Sequence, residues 1–253
     1  MKRLTEIDYG FFCFLQESRI DLSASEILFS KDIYSKSVLL FRQSVEMSCK
    51  YLGLLWKIIT PDDGKKNIGF IPHKIFKDFF GTDVLKQING PVLFKQYESE
   101  LNSYSKLSEK IEYLNNEIKT ALSVEVVKRK ENQSAVDAMI AFYKATGFKG
   151  MCDVESLEKK RGDKKFDEQV EEHRKIVNSI GVCVLCQMFL SFLIWGNIED
   201  TVYPDVTAGT TTLDSYSKTS VITKSMSHFF EIQKHCLDTM QKLHENKLWL
   251  KSI

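Results

Sequence analysis

The sequence contains little proline and little glycine. Four prolines and 12 glycines occur among 253 residues, and the span from Val92 to Tyr203 contains no proline. A proline inside a helix costs roughly 3 kcal/mol, so this span permits long helices. The chain also lacks any segment in which apolar and polar residues alternate over the length of a strand. We therefore expect an all-α protein, a bundle of about six or seven helices.

Net charge is nearly absent as well. The 35 Lys and Arg residues are balanced by 34 Asp and Glu residues, which gives a formal charge of +1. A protein that contacts many phosphates is usually far more basic, so extensive binding to nucleic acid is disfavoured. The basic run at 159–165 is interpreted as a solvated loop, with an RNA-binding patch as the alternative.

Several motifs of known chemistry are missing. The sequence has no glycine-rich phosphate loop, no G-x-S-x-G nucleophile elbow and no H-E-x-x-H zinc motif. Cys183 and Cys186 form a C-x-x-C, but no second Cys or His pair stands near it at zinc spacing. His228 and His235, seven residues apart, are interpreted as surface histidines, with a di-metal site as the alternative. We expect no metal and no cofactor.

Signals for secretion are also missing. The six cysteines follow no disulfide framework, and the apolar patch at 9–15 is too short for a signal peptide. The cysteines are interpreted as reduced core thiols of a cytoplasmic protein. Residues 176–198 contain no charged side chain. This stretch predicts a helix buried at the centre of a bundle, with a membrane span as the alternative.

Apolar periodicity predicts most of the other helices. Apolar residues three and four positions apart recur between Ile33 and Ile59, between Tyr104 and Ile118, and between Ile222 and Leu243. Shorter helices are predicted from Pro72 and from Gln133.

The first of these helices carries three charged residues at helical spacing. Arg42, Glu46 and Lys50 are each four residues apart, so they lie along one side of the helix. Glu46 and Lys50 are expected to form a favourable i, i+4 ion pair. Spacing alone leaves two interpretations open, a surface ion-pair ladder and a part of a binding site.

Three segments resemble the HEPN superfamily of helical proteins. Ser37–Leu55 is similar to the opening helix of that family, with its Glu-x-x-x-Lys pattern and a following pair of leucines. Ile71–Phe79 resembles the second helix, which usually begins at a histidine, here His73. Val202–Asp205 is similar to a Tyr-Pro-Asp/Gly loop of many members. The three segments stand in the order of the family, and they also resemble abortive-infection proteins of the AbiV kind.

The resemblance implies a single domain over residues 1–253. Its HEPN-like core would comprise about residues 30–80 and 165–247, and residues from about 90 to 160 would form an inserted helical arm. The resemblance also implies a homodimer and a role in prokaryotic phage defence or in a toxin–antitoxin system.

The ribonucleases of this family use an Arg-x4-6-His motif, and the sequence contains no such pair. The resemblance therefore implies a non-catalytic module that binds a nucleotide, RNA or a protein partner. The alternative is a divergent ribonuclease that uses His73, with Lys66 or Arg42 as a charge stabiliser. The residues expected to bind the ligand are Arg42, Glu46, Lys50, His73, Tyr203 and Asp205.

Overall fold

The computed structural model describes residues 2–55, 59–64, 112, 115–116, 118–120, 122–146, 153–195 and 221–245. Within these ranges the chain forms seven bounded helices and no strand, which confirms the predicted all-α class. Helical residues also occur between 112 and 123, here called the 112–123 segment. The bounded helices are α1 (Lys2–Ser30), α2 (Tyr34–Leu55), α3 (Pro61–Gly64), α4 (Ala135–Thr146), α5 (Val154–Lys159), α6 (Lys164–Trp195) and α7 (Val221–Glu245).

The first two long helices, α1 and α2, form an antiparallel hairpin. The turn between them is tight, and Asp32 there adopts a left-handed backbone conformation with a φ of 61°. Buried serines join the helices, because Ser18 Oγ donates to the Ser44 carbonyl at 2.6 Å and Ser25 Oγ donates to the Ser37 carbonyl at 2.7 Å. Such bonds from one helix to the backbone of the other require close approach, which small side chains at the contact permit.

The central helix of the bundle is α6, which contacts α2, α4 and α7. From Ile180 to Leu190 nearly every residue is buried, so the prediction of a buried helix is confirmed for this part of the uncharged stretch. The charged first turn of α6 faces solvent, where the Asp163 carboxylate accepts hydrogen bonds from the amides of Lys165 and Phe166. In the described part of the chain, no helix is long and apolar enough to cross a membrane.

Part of the stretch predicted as an inserted arm packs onto this central helix. α4 contacts α6, and its residues Val136, Met139 and Tyr143 belong to the same hydrophobic core as residues of α1, α2 and α7. Just before α4, the Val127 amide donates to Asn178 Oδ1 of α6 at 2.7 Å. Residues 127–146 therefore contribute to the core, and the division into a HEPN-like core and an arm stays a prediction.

Three more predicted helices have observed counterparts. The prediction from Ile33 to Ile59 corresponds to α2, the prediction from Gln133 to α4, and the prediction from Ile222 to Leu243 to α7. The long helix α1 has no counterpart among the predicted helices. The predicted helix from Pro72 and most of the predicted helix from Tyr104 lie outside the described residues.

Four cysteines lie in the core as free thiols, as the sequence predicts: Cys49, Cys183, Cys186 and Cys236. Cys13 is also free but is exposed on the outer face of α1, so the prediction of a core position is wrong for this residue. Hydrogen bonds with Cys183 and Cys186, followed by burial, raise the pKa of Cys236. A buried thiol with a raised pKa stays protonated and is a poor nucleophile.

Candidate functional site

Three charged side chains of α2 lie on one buried face of the helix. Arg42, Glu46 and Lys50, here called the α2 trio, are only 5%, 2% and 4% exposed. The Lys50 ammonium lies 3.0 Å from Glu46 Oε1, so the predicted i, i+4 ion pair is present. The burial excludes a surface ion-pair ladder, which would be solvated, and the role of the trio in a binding site stays a prediction.

The local sequence places the α2 trio beside the core. Each member directly follows a core residue, namely Phe41, Val45 or Cys49. Successive residues of a helix are rotated by about 100°, so the trio forms a strip next to the apolar strip of α2. The charged groups therefore stand at the edge of the core.

Burial dominates the electrostatics of this strip. It raises the pKa of Glu46, and the hydrogen bond and charge of Lys50 together with the charge of Arg42 offset the increase only in part. The carboxylate of Glu46 is therefore destabilised as an anion, even with two cationic groups near it. Groups whose pKa is shifted by burial and by specific charges are candidates for functional sites.

The two carboxylate oxygens of Glu46 differ in their surroundings. Oε1 faces the Lys50 ammonium, whereas Oε2 is buried and has no hydrogen-bond partner within the described residues. A buried acceptor without a donor costs about 1–3 kcal/mol, and a donor on a bound molecule would remove that cost. The trio thus combines an acceptor for a hydrogen-bond donor with two cationic groups that attract an anion.

The same helix also contributes to a closed network, in which buried serine and glutamine side chains form hydrogen bonds with one another. Gln187 Nε2 donates to Gln233 Oε1 at 2.5 Å, and Ser48 Oγ donates to Gln187 Oε1 at 2.8 Å. Gln233 Nε2 lies 3.1–3.3 Å from the hydroxyl oxygens of Ser18, Ser44 and Ser48. All five residues are fully buried, and they link α1, α2, α6 and α7. This network therefore specifies how the four helices meet.

Two buried side chains of catalytic residue types, Cys49 next to the α2 trio and His173 on α6, are not activated. Burial, with a further contribution from the Glu46 charge, raises the pKa of Cys49, so its thiol stays protonated. His173 of α6 is buried with Tyr143 Oη 3.3 Å from its Nε2, and burial lowers its pKa to about 4. Neither residue suits acid–base or nucleophilic work near neutral pH. Among the described residues, no group of three or more His, Cys, Asp or Glu side chains is arranged to hold a metal ion.

Of the six residues predicted to bind the ligand, the structure brings together the three of the α2 trio. His73, Tyr203 and Asp205 lie outside the described residues, as does Lys66. The convergence of all six on one site therefore stays a prediction. His228 and His235 are exposed, which agrees with their interpretation as surface histidines.

Sequence reasoning missed the two buried glutamines of the closed network. Gln233 stands four residues after Phe229 and three before Cys236, where the helical period of α7 calls for an apolar residue. Gln187 likewise interrupts the uncharged stretch of α6. A polar residue at a core position of a periodic pattern is the signal that identifies such a network.

Comparison with protein families, with curated proteins and with solved structures found no match to this chain. Membership of the HEPN superfamily is therefore an expectation that rests on the three sequence segments alone.

Proposed function

We propose that the chain is a non-catalytic, HEPN-like binding module whose ligand is a nucleotide held at the α2 trio. The observation that carries the proposal is the burial of two cationic side chains around a carboxylate whose Oε2 has no hydrogen-bond partner among the described residues. The biological setting implied by the sequence resemblance is a prokaryotic defence or toxin–antitoxin system.

A nucleotide carries both anionic groups and hydrogen-bond donors, the two kinds of group that the α2 trio can bind. Its phosphates are anionic acceptors, which the planar guanidinium of Arg42 and the ammonium of Lys50 bind. Its ribose hydroxyls and exocyclic amines are donors, which Glu46 Oε2 accepts. An inorganic anion would satisfy only the cations, and a simple amine would satisfy only the carboxylate.

Stability alone does not account for the trio. Taking charged groups out of water costs several kcal/mol per ion, and apolar replacement of a buried ion pair is often neutral or stabilising by about 1–4 kcal/mol. A charged strip retained beside a well-packed core therefore favours a binding role.

A binding role without catalysis is supported by the sequence and by the local chemistry. The Arg-x4-6-His motif is absent from the sequence, and the Cys49 thiol next to the trio is not activated. A ribonuclease that uses His73 would have to replace the missing arginine by another cation, and Lys does not reproduce the bidentate geometry of Arg.

The proposal is tested by thermal-shift assays and calorimetry with ATP, GTP, AMP and a short single-stranded RNA. A ligand at about one hundred times its Kd stabilises a protein by about 2.7 kcal/mol, so binding raises Tm measurably. We expect a nucleotide to stabilise the wild type and to stabilise Lys50→Met and Glu46→Gln much less. The control is Lys144→Met, which removes an exposed ammonium that pairs with Glu158 at 2.6 Å.

Circular dichroism establishes first that each variant is folded. The proposal fails if no nucleotide raises the Tm of the wild type, or if the trio variants bind as tightly as the control variant. Cleavage of the RNA by the wild type would replace the proposal with the ribonuclease alternative.

We also propose that a second copy of the chain is a partner, docked on the outer face of α1. Ile20 and Ile27 are 60% and 62% exposed and lie seven residues apart, so they share one face. An antiparallel pair that sets Ile20 against Ile27 of the partner subunit puts the small Ser23 at the centre. The exposed Glu17 then faces Lys31 of the partner subunit, which makes the charges complementary.

Light scattering after gel filtration tests this interface. We expect a dimer for the wild type and a monomer for Ile27→Lys, which places two like charges in the contact. Glu168→Lys, on the exposed side of α6, serves as the control and leaves the dimer intact. A monomeric wild type at about 100 µM, or a dimeric Ile27→Lys, would overturn the interface.

A further inference from the structure

A cleft of about 340 Å³ lies between α7 and the 112–123 segment. It is bordered on α7 by residues spaced i, i+3, i+4 and i+7, which form one face of a helix. Its floor is apolar and includes the buried Ile118 and Ile232. Its rim consists of four polar side chains: Lys119, His228, Glu231 and His235.

These rim side chains are not engaged with the rest of the described chain. None of the four forms a side-chain hydrogen bond or an ion pair there, although Lys119 and Glu231 carry opposite charges on the same cleft. Asn115 lines the cleft too, and its Oδ1 is buried without a hydrogen-bond partner among the described residues. The cleft therefore has a cation and a carboxylate on its exposed rim, and a buried amide oxygen that has no hydrogen-bond partner among the described residues.

We infer that this cleft binds a free α-amino acid with an apolar side chain. The carboxylate of such a ligand matches the Lys119 ammonium, and its ammonium group matches Glu231 and Asn115 Oδ1. Its side chain covers the floor formed by Ile118 and Ile232. Clefts of about 300–1,000 Å³ with an apolar lining and a few convergent polar groups are typical sites for small molecules.

Other ligand classes fit the rim less well. A simple anion would meet the negative charge of Glu231, and a simple amine would meet the positive charge of Lys119. A metal ion is disfavoured because the described residues contain no suitably arranged set of three or more ligands. The amino-acid site uses the 112–123 segment and α7, so it does not depend on the nucleotide site proposed at the α2 trio.

Calorimetry with three amino acids and two analogues tests the inference. The amino acids are L-leucine, L-methionine and L-phenylalanine. Isoamylamine lacks only the carboxylate of leucine, and N-acetyl-L-leucine lacks the ammonium group. We expect at least one amino acid to bind and both analogues of leucine to bind at least about tenfold more weakly than leucine.

Variants locate the site. Lys119→Met and Glu231→Gln are each expected to weaken binding by about tenfold or more, since each removes one charged contact. Lys165→Met and Glu168→Gln remove exposed charges from the first turns of α6, which does not line the cleft, and are expected to leave affinity unchanged. In NMR spectra, the imidazole signals of His228 and His235 should move on titration.

The rim side chains are exposed, so their replacement is not expected to unfold the protein, and far-UV circular dichroism checks this. The inference is wrong if no amino acid binds at about 10 mM, which corresponds to an interaction weaker than about 3 kcal/mol. It is also wrong if isoamylamine binds as tightly as leucine, or if the Lys119 and Glu231 variants keep full affinity.

Discussion

Replacement of Gln233 by leucine is expected to destabilise the helical bundle by about 2–4 kcal/mol. This residue occupies the centre of the closed polar network, where four helices meet. Leucine has a similar volume, so the change creates no large cavity and isolates the loss of hydrogen bonds.

The magnitude follows from the partners that Gln233 leaves behind. Gln187 Nε2 loses the acceptor that it contacts at 2.5 Å, and a buried donor without a partner costs about 1–3 kcal/mol. The contacts of Gln233 Nε2 with three serine hydroxyls add about 1 kcal/mol net. The serines remain bonded, because Ser18 still donates to the Ser44 carbonyl and Ser48 to Gln187 Oε1.

A double replacement tests the network itself. When Gln187→Leu is combined with Gln233→Leu, no carboxamide is left without its partner. The double variant should therefore be more stable than the sum of the two single losses predicts, by about 1–2 kcal/mol. An interaction energy of this sign distinguishes a coupled network from two independent core positions.

Urea unfolding monitored by far-UV circular dichroism measures all three variants. Gln241→Leu is the control, because this glutamine also lies on α7 but donates to the exposed Glu245 near the helix end rather than to the buried network. A loss below about 0.5 kcal/mol for Gln233→Leu, or strict additivity in the double variant, would refute the reasoning.

Three further replacements test the electrostatics and packing of the helices. Asp21→Asn should stabilise the fold at pH 7 by on the order of 1 kcal/mol after solvent screening, because burial and then the Glu17 charge raise the pKa of Asp21 to about 6. This gain should fade as pH falls through about 6 and vanish below about 4, as urea midpoints will show. Burial lowers the pKa of His173 to about 4, so on acidification the unfolded chain takes up a proton before the folded chain does. Between pH 6.5 and about 4, the free energy of unfolding of the wild type should therefore fall by up to about 3 kcal/mol more than that of His173→Gln. Gly181→Ala should cost about 1–3 kcal/mol of stability in thermal melts, because the added Cβ would clash with Cγ2 of Val126. Val126→Ala should recover only part of this loss, because the Cβ of residue 126 would still lie 2.9 Å from the added Cβ.

Each of these three predictions would be contradicted by a specific result. For Asp21, the contradicting outcome is a gain that is the same at pH 4 and pH 7. For His173, it is an identical acid sensitivity of the wild type and the His173→Gln variant. For Gly181, it is a stabilised Gly181→Ala variant, since alanine favours a helix over glycine by about 1 kcal/mol where no clash intervenes.

The sequence predicts α2, α4, α6 and α7 from apolar residues at helical spacing or from an uncharged stretch, and it misses α1 for a local reason. From Phe12 onward, the buried positions of α1 are Leu15, Ser18, Leu22 and Ser25, and the partly buried Phe29 continues the row, with spacings of three, four, three and four residues. The spacing is that of an amphipathic helix, but two of the five positions are serines. These serines bond to the backbone of α2, so the hydrophobic pattern is weakened by the residues that hold the hairpin together.

Only one feature of the candidate site, the ion pair within α2, could be predicted from the sequence. The Glu46–Lys50 pair follows from i, i+4 spacing, and it is observed. The burial of the α2 trio does not follow from spacing, because it depends on which segments pack across that face of the helix. The bond between Gln187 and Gln233 joins residues 46 positions apart on two helices, and no local pattern predicts such a pairing.

Two kinds of buried polar residue alternate on α2, and their hydrogen-bond capacity separates a structural role from a binding role. The hydroxyls of Ser44 and Ser48 take part in a network in which each buried side-chain atom has a partner, so a ligand would have to break existing bonds to enter it. Glu46 Oε2, on the adjacent strip, has no donor among the described residues, so a molecule that brings one gains a bond without breaking another. This difference is the physical reason for placing the proposed ligand at the α2 trio, although the serine and glutamine network is the more deeply buried of the two.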